Sequence, residues 1–179
     1  MNTGLSSALS IPTFIDVEAS GLGRGSYPIE IGISLPDGWR CCWLIRPADT
    51  WTHWDPAAEA IHHISRDRLR QHGRPIDEVA AELNERLKGA MAYSDAWGND
   101  MPWIARLYDE AGLPQRFRIE SVRRILSEAQ AARWHGAKAL VMRETGGERH
   151  RASGDAMILQ QTWLEVAGLR ARPRSDGAA

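Results

Sequence analysis

The sequence predicts an α/β fold built on a mixed sheet, three antiparallel strands followed by parallel ones, with helices flanking it. Three observations carry this. In YPIEIGISL, Ile29, Ile31, Ile33 and Leu35 alternate with polar or small residues, the period of two that marks a half-buried strand. Pro36-Asp37-Gly38 is a turn signal, and the aromatic and β-branched residues of 39–45 return the chain as a hairpin. Further on, a helical pattern is followed by the short apolar run AMAYS, and a strand reached through a crossover pairs in parallel with an earlier one.

Taken in order, FIDVEASGL opens the sheet. Successive strand side chains point to opposite faces, so Asp16 and Glu18 share one face and Ile15 and Val17 the other. Two carboxylates held that close repel; a solvated edge face tolerates them, and so does a hard divalent cation that wants oxygen ligands. Gly21, Gly23 and Gly25 make a flexible connection to the second strand. The loop 47–56 carries Trp51, His53 and Trp54, and a short helix is expected over 57–62. His53, His62 and His63 lack the ligand spacing of a structural zinc site. Ile76, Val79, Ala80, Leu83 and Leu87 then fall on one face of an amphipathic helix, with Asp77, Glu78, Glu82 and Glu85 outside it.

After AMAYS, Pro102 belongs in the first turn of a helix, which places that helix's start at Asn99 or Asp100 and Asp100 at a strand-to-helix corner. RFRI reads as the last strand, 120–133 as a helix, and 137–143 as a further short one. Thr145-Gly146-Gly147 breaks the chain before a final helix with Ala156, Leu159, Trp163 and Val166 inward, stopped at Gly168. His150 and Asp155 converge if His150 precedes that helix and Asp155 lies on it. The segment 170–179 has no apolar period and is expected to be disordered.

At 179 residues the chain suits one domain, expected over 1–169 with its core at 11–168. Its 43% hydrophobic and 25% charged residues are those of an ordinary globular protein. No run is long enough to span a bilayer, and the first ten residues are too weakly apolar for a signal peptide, so a cytoplasmic location is expected. Adjacent Cys41 and Cys42 read as strand residues in a reduced environment. The net charge of -1 argues against a strong unspecific grip on long nucleic acid, yet 76–112 holds three Lys/Arg against eight Asp/Glu, and 113–151 nine against four. An acidic half that holds cations beside a basic half that meets phosphates is what a phosphodiester substrate requires; solvated helix faces are the bland account of the same runs.

Collected, Asp16, Glu18, Asp100, His150 and Asp155 are four carboxylates and one histidine, on the opening strand or at element ends. With FIDVEASGL, EIGISL, IHHIS, YSDAWGNDMPWI and HRASGD in that order, the chain from 14 to about 163 resembles the DEDDh family of 3′-to-5′ exonucleases, which includes proofreading exonucleases, RNase T and oligoribonuclease. The resemblance implies a ribonuclease-H-like mixed five-stranded sheet and a single exonuclease domain. It implies two Mg²⁺ or Mn²⁺ ions, one held by Asp16, Glu18 and Asp155, the second placed by Asp16 and Asp100, partly through water. His150, with an ordinary pKa of about 6.5, becomes the general base that takes a proton from the attacking water. Ser20, Gly21, Leu22 and Trp103 become substrate contacts: Leu22 wedges against the terminal bases, and Gly21 lets the backbone approach the 3′ hydroxyl.

The implied reaction is hydrolysis from the 3′ end of single-stranded RNA or DNA, short RNA favoured, to nucleoside 5′-monophosphates. A homodimer is also implied by stand-alone relatives. The chain departs from the family pattern at three places: Asp95-Ala96 replaces a common His-Asn pair, Asn99 a usual phenylalanine, and Glu120-Ser121 a common Asp-Thr. Trp97 and Trp103 offer base-stacking faces, with core packing as the alternative for Trp103. A non-catalytic nucleic-acid-binding module and an endonuclease of the same fold are the competing functions.

Overall fold

The computed structural model describes residues 10–146 and 151–170. Five strands, β1 (Thr13–Ala19), β2 (Pro28–Ser34), β3 (Arg40–Leu44), β4 (Met91–Ser94) and β5 (Arg118–Ser121), form one sheet in the order β3-β2-β1-β4-β5. β1 pairs antiparallel with β2 and parallel with β4; β2–β3 is antiparallel and β4–β5 parallel. This is the ribonuclease-H-like arrangement, in agreement with the fold class read from the sequence. The helices are α1 (Pro56–His62), α2 (Arg66–His72), α3 (Ile76–Arg86), α4 (Trp97–Ala111), α5 (Glu128–Thr145) and α6 (Ala152–Val166).

The pleat sorts two cores. Ile15, Val17, Ile29, Ile31 and Ile33 face α3 and α4, meeting Leu83, Ile104 and Leu107. Phe14 faces the other way, onto Leu159, Trp163 and Val166 of α6 and Trp134 of α5. β2 is therefore buried on both faces, not half-buried, because its small and polar residues Glu30, Gly32 and Ser34 lie beneath α6. Ser34 Oγ donates to Gln160 Oε1 at 2.8 Å, and Gln160 Nε2 donates to the carbonyls of Leu35 and Pro12 at 2.9 and 3.2 Å, fastening α6 across the sheet.

Four elements differ from expectation. α2 has no counterpart in the sequence reading; Ser65 caps it, accepting the Arg68 N–H, and Leu69 is its single buried anchor. α4 starts at Trp97, with Pro102 inside it. The N–H groups of Asn99 and Asp100 already bond the Ala96 carbonyl, and Pro102 withholds a donor only from Gly98, whose exposed turn admits water. The expected helix over 120–133 is instead the end of β5 and a 3₁₀ turn (Val122–Ile125), after which Ser127 and Gln130 form a reciprocal cap and start an uninterrupted 18-residue α5. Arg170, assigned from sequence to the tail, pairs with Glu144 at 2.5 Å and Glu165 at 3.8 Å; 171–179 lie outside the described residues. Among the described residues no helix is long and apolar enough to cross a membrane.

Candidate metal centre

Asp16 and Glu18 sit half-buried on the α6 face of β1, as the strand period requires. In the β1–β2 register Asp16 lies opposite Gly32 and Glu18 opposite Glu30. α6 crosses this face so closely that a Cβ on Gly32 would stand 2.0 Å from the Ala152 carbonyl carbon and 2.2 Å from the Ser153 nitrogen. Only glycine admits that approach, and it delivers the first-turn Asp155 to the pair. Carboxylate oxygens of Asp16, Glu18 and Asp155 all lie within 4.8 Å of one another.

A buried anchor that sequence reasoning missed holds the helix there. Glu30 is fully buried and receives Arg151 Nη2 at 2.6 Å and Nε at 2.9 Å on Oε1, with Nε also 3.1 Å from Oε2; the Ala152 N–H donates to Oε2 at 2.9 Å. Arg151 is the residue before α6, and its carbonyl accepts the Asp155 N–H at 3.0 Å. The available signal was a lone carboxylate inside the apolar run IEIGI, on the same face as Gly32.

Asp100 is buried beside the trio but is not one of the three that share a point. Its Oδ2 accepts a short hydrogen bond from Ser94 Oγ, which in turn accepts the Ala96 N–H at 2.9 Å. Asp95 pairs with Lys138 of α5 at 2.6 Å. His150 lies outside the described residues; α6 begins two residues after it.

These carboxyls hold their protons well above the ordinary range. Burial raises Asp16 far up, assisted by repulsion from Asp100, Asp155, Glu18 and Asp95. Glu18 is pushed up to about 7 by burial, then by Asp155, Glu30 and Asp100. Asp100 also reaches about 7 through burial, against the lowering effects of the Ser94 hydrogen bond and Lys138. A cluster of oxygen donors that resists ionisation together is the donor set a hard divalent cation satisfies, so these residues fit Mg²⁺ or Mn²⁺. His53, His62 and His63 do not join this or any other such grouping among the described residues.

Of the expected substrate contacts, Leu22 is 69% exposed. Gly21 has φ +143°, and a Cβ there would meet Asp55 Cβ at 2.6 Å and His53 Cε1 at 2.8 Å. Ser20 is buried and its hydroxyl turns inward, accepting the Tyr27 N–H at 3.1 Å and standing 3.0 Å from His53 Nδ1. Trp103 is half-buried with Nε1 donating to Ser26 Oγ at 2.8 Å; with Gly23, Gly25, Asn99 and Arg106 it lines a cavity of about 370 Å³.

The chain thus has a ribonuclease-H-like fold, and on its sheet a carboxylate cluster whose oxygens lie close enough to hold a divalent metal. Solved structures with this fold include E. coli exonuclease I in complex with a dA16 oligonucleotide (TM-score 0.65, 13% identity, 89% of this chain and 41% of that one). A product-bound exonuclease I (0.62, 14%, 89% and 44%) and the zinc-bound form of an E. coli exonuclease I–single-stranded DNA complex (0.60, 14%, 86% and 40%) are similar in the same way. The chain thus spans roughly two-fifths of the length of these enzymes. No protein-family model matches the sequence, and no curated protein does.

Proposed function

We propose that this chain is a metal-dependent 3′-to-5′ exonuclease domain, one unit within 11–168, acting on single-stranded nucleic acid and releasing nucleoside 5′-monophosphates. The observation that carries the reading is the convergence of Asp16, Glu18 and Asp155 within 4.8 Å. The sheet that holds them is the one found in exonuclease I structures bound to single-stranded oligonucleotides, which supports such a strand as substrate.

Asp16, Glu18 and Asp155 would hold one Mg²⁺ or Mn²⁺, and Asp16 with Asp100 a second. Such ions, when bound, supply Lewis-acid stabilisation of the charge that develops at phosphorus and its oxygens. His150 takes the proton of the attacking water, a task that suits an imidazole. Arg151, locked to Glu30, orients the start of α6 and hence Asp155. Leu22 caps the terminal base, Gly21 brings backbone close to the 3′ end, and the cavity beside Trp103 receives the terminal nucleotide. Ser20 supports this loop through Tyr27 and His53, so its part is played by backbone geometry.

The test is digestion of 5′-labelled RNA and DNA oligonucleotides of one sequence with Mg²⁺ or Mn²⁺. A ladder shortening from the 3′ end, with mononucleotide product, is expected, and His150→Ala should abolish it while sparing the fold. Full-length RNA and DNA in every arm would sink the enzyme reading in favour of a binding module; internal fragments without mononucleotides would indicate an endonuclease. The relative rates on the two ladders assign RNA or DNA.

A further inference from the structure

The basic half of the sequence is not consumed by the carboxylate centre, and three of its side chains gather about one acidic residue at the centre's margin. Lys138 Nζ lies 2.6 Å from Asp95 Oδ2, joining α5 to the corner between β4 and α4. Arg123, after β5, and His135, one turn before Lys138, line a hollow of about 70 Å³ with Asp95, floored by Val122, Leu126 and Trp134. One carboxylate among these bases leaves a surplus of positive charge. The corner is within electrostatic reach of the centre: Asp95 bears on Asp16 and Asp100, and Lys138 opposes it at Asp100. Trp97, the first residue of α4, is 38% exposed, and its Nε1 donates to the Ile119 carbonyl of β5 at 3.0 Å, which fixes the indole at the same edge.

Topology supplies the direction. Leu22 belongs to the loop joining β1 to β2, on one side of the carboxylates, and Gly23, Gly25 and Ser26 of that loop meet Asn99, Pro102, Trp103 and Arg106 of α4 around the cavity. β4 and β5 lie on the other side of β1. A strand whose 3′ end occupies the first side continues over the second.

We infer that the β4–β5 margin is a phosphodiester-binding surface: Lys138, oriented by Asp95, and Arg123 contact the backbone of the strand entering the centre, and Trp97 offers a stacking face to one of its bases. The identity of that strand rests on the nuclease reading; the surface itself does not need cleavage. Its chemistry is that of single-strand binding, ammonium and guanidinium groups on phosphates interleaved with an aromatic. The competing account is an ion pair that only docks α5.

The experiment is fluorescence anisotropy of 5′-labelled eight-nucleotide DNA and RNA strands in EDTA, from 50 to 200 mM NaCl, on the full chain. Lys138→Gln and Arg123→Ala should each reduce the slope of log K against log salt by about 0.7, the share of one phosphate contact. Each variant thus escapes about a 2.6-fold part of the wild-type loss over that salt range. Trp97→Ala should weaken binding without changing the slope. Lys88→Ala, at the opposite end of β4, should retain the wild-type slope. Wild-type slopes in both Lys138→Gln and Arg123→Ala, or no binding of either strand by the wild type, would overturn the inference. Arg123 makes no bond to Asp95, so its variant decides the matter even if Lys138→Gln unfolds. Altered slopes with no cleavage by the wild type would leave the surface standing and remove the nuclease; mononucleotide release with unaltered slopes would do the reverse.

Discussion

Replacing Gly32 by alanine tests the whole construction of the centre with one methyl group. The added Cβ would lie 2.0 Å from the carbonyl carbon of Ala152, where ordinary carbon contacts are about 3.5 Å, so the first turn of α6 must retreat by about 1.5 Å. Gly32 is in β2, hydrogen-bonded on both sides, so the helix yields before the strand. That retreat carries Asp155 away from Asp16 and Glu18 and stretches the bonds from Arg151 and Ala152 to Glu30. Overpacking of this kind costs about 1–3 kcal/mol, which a domain of this size survives. Misplacement of about 1 Å in a site costs about 100-fold in rate. The expected variant is therefore folded by circular dichroism, with Mn²⁺ affinity in calorimetry lowered at least tenfold and kcat/KM on a labelled oligonucleotide lowered about 100-fold. Wild-type metal affinity in a folded Gly32→Ala protein would refute the account, because Asp155 would then reach the pair without the close approach.

Three further outcomes follow from the same geometry. Arg151→Ala leaves fully buried Glu30 without its partner; since Arg151 is itself partly exposed, the low end of the range for a broken buried pair applies, about 3 kcal/mol in urea unfolding, with metal affinity reduced about 10- to 100-fold. On the proposed ligand set Asp155→Asn removes one ligand, so the rise in thermal midpoint that Mg²⁺ induces in the wild type should disappear; a retained Mg²⁺ response would remove Asp155 from that set. Folding raises Glu18 and Asp100 to about 7, so between roughly pH 4 and 7 the folded chain binds more protons than the unfolded one. Metal-free stability should therefore fall as pH rises through that window, while the stabilisation by Mg²⁺, which needs ionised carboxylates, should grow; a flat metal-free midpoint from pH 4 to 7 would contradict this.

Periodicity determined a good part of this protein before any coordinates. The two-residue period of β1 puts Asp16 and Glu18 on one face because alternation is a property of the extended backbone itself. The 3.6-residue period of α3 likewise selects Val79, Ala80 and Leu83 for the core. Such local rules fail where a distant partner decides. β2 looked half-buried because its polar face carries no apolar period, yet α6, more than 110 residues later, covers it through the absence of a side chain at Gly32 and a charge pair at Glu30. α5 was divided in sequence because its apolar spacing is poor, and the cap at Ser127 outweighs that.

Sequence alone singled out the four carboxylates and the histidine, since demanding residue types in order at element ends are legible without coordinates. Only tertiary structure decided that Asp16, Glu18 and Asp155 share a point while Asp100 stands beside them, bonded to Ser94, and that Asp95 is tied to Lys138. The reason is physical: a strand's pleat orients its own side chains, but the distance between side chains on different elements is set by how closely the elements pack.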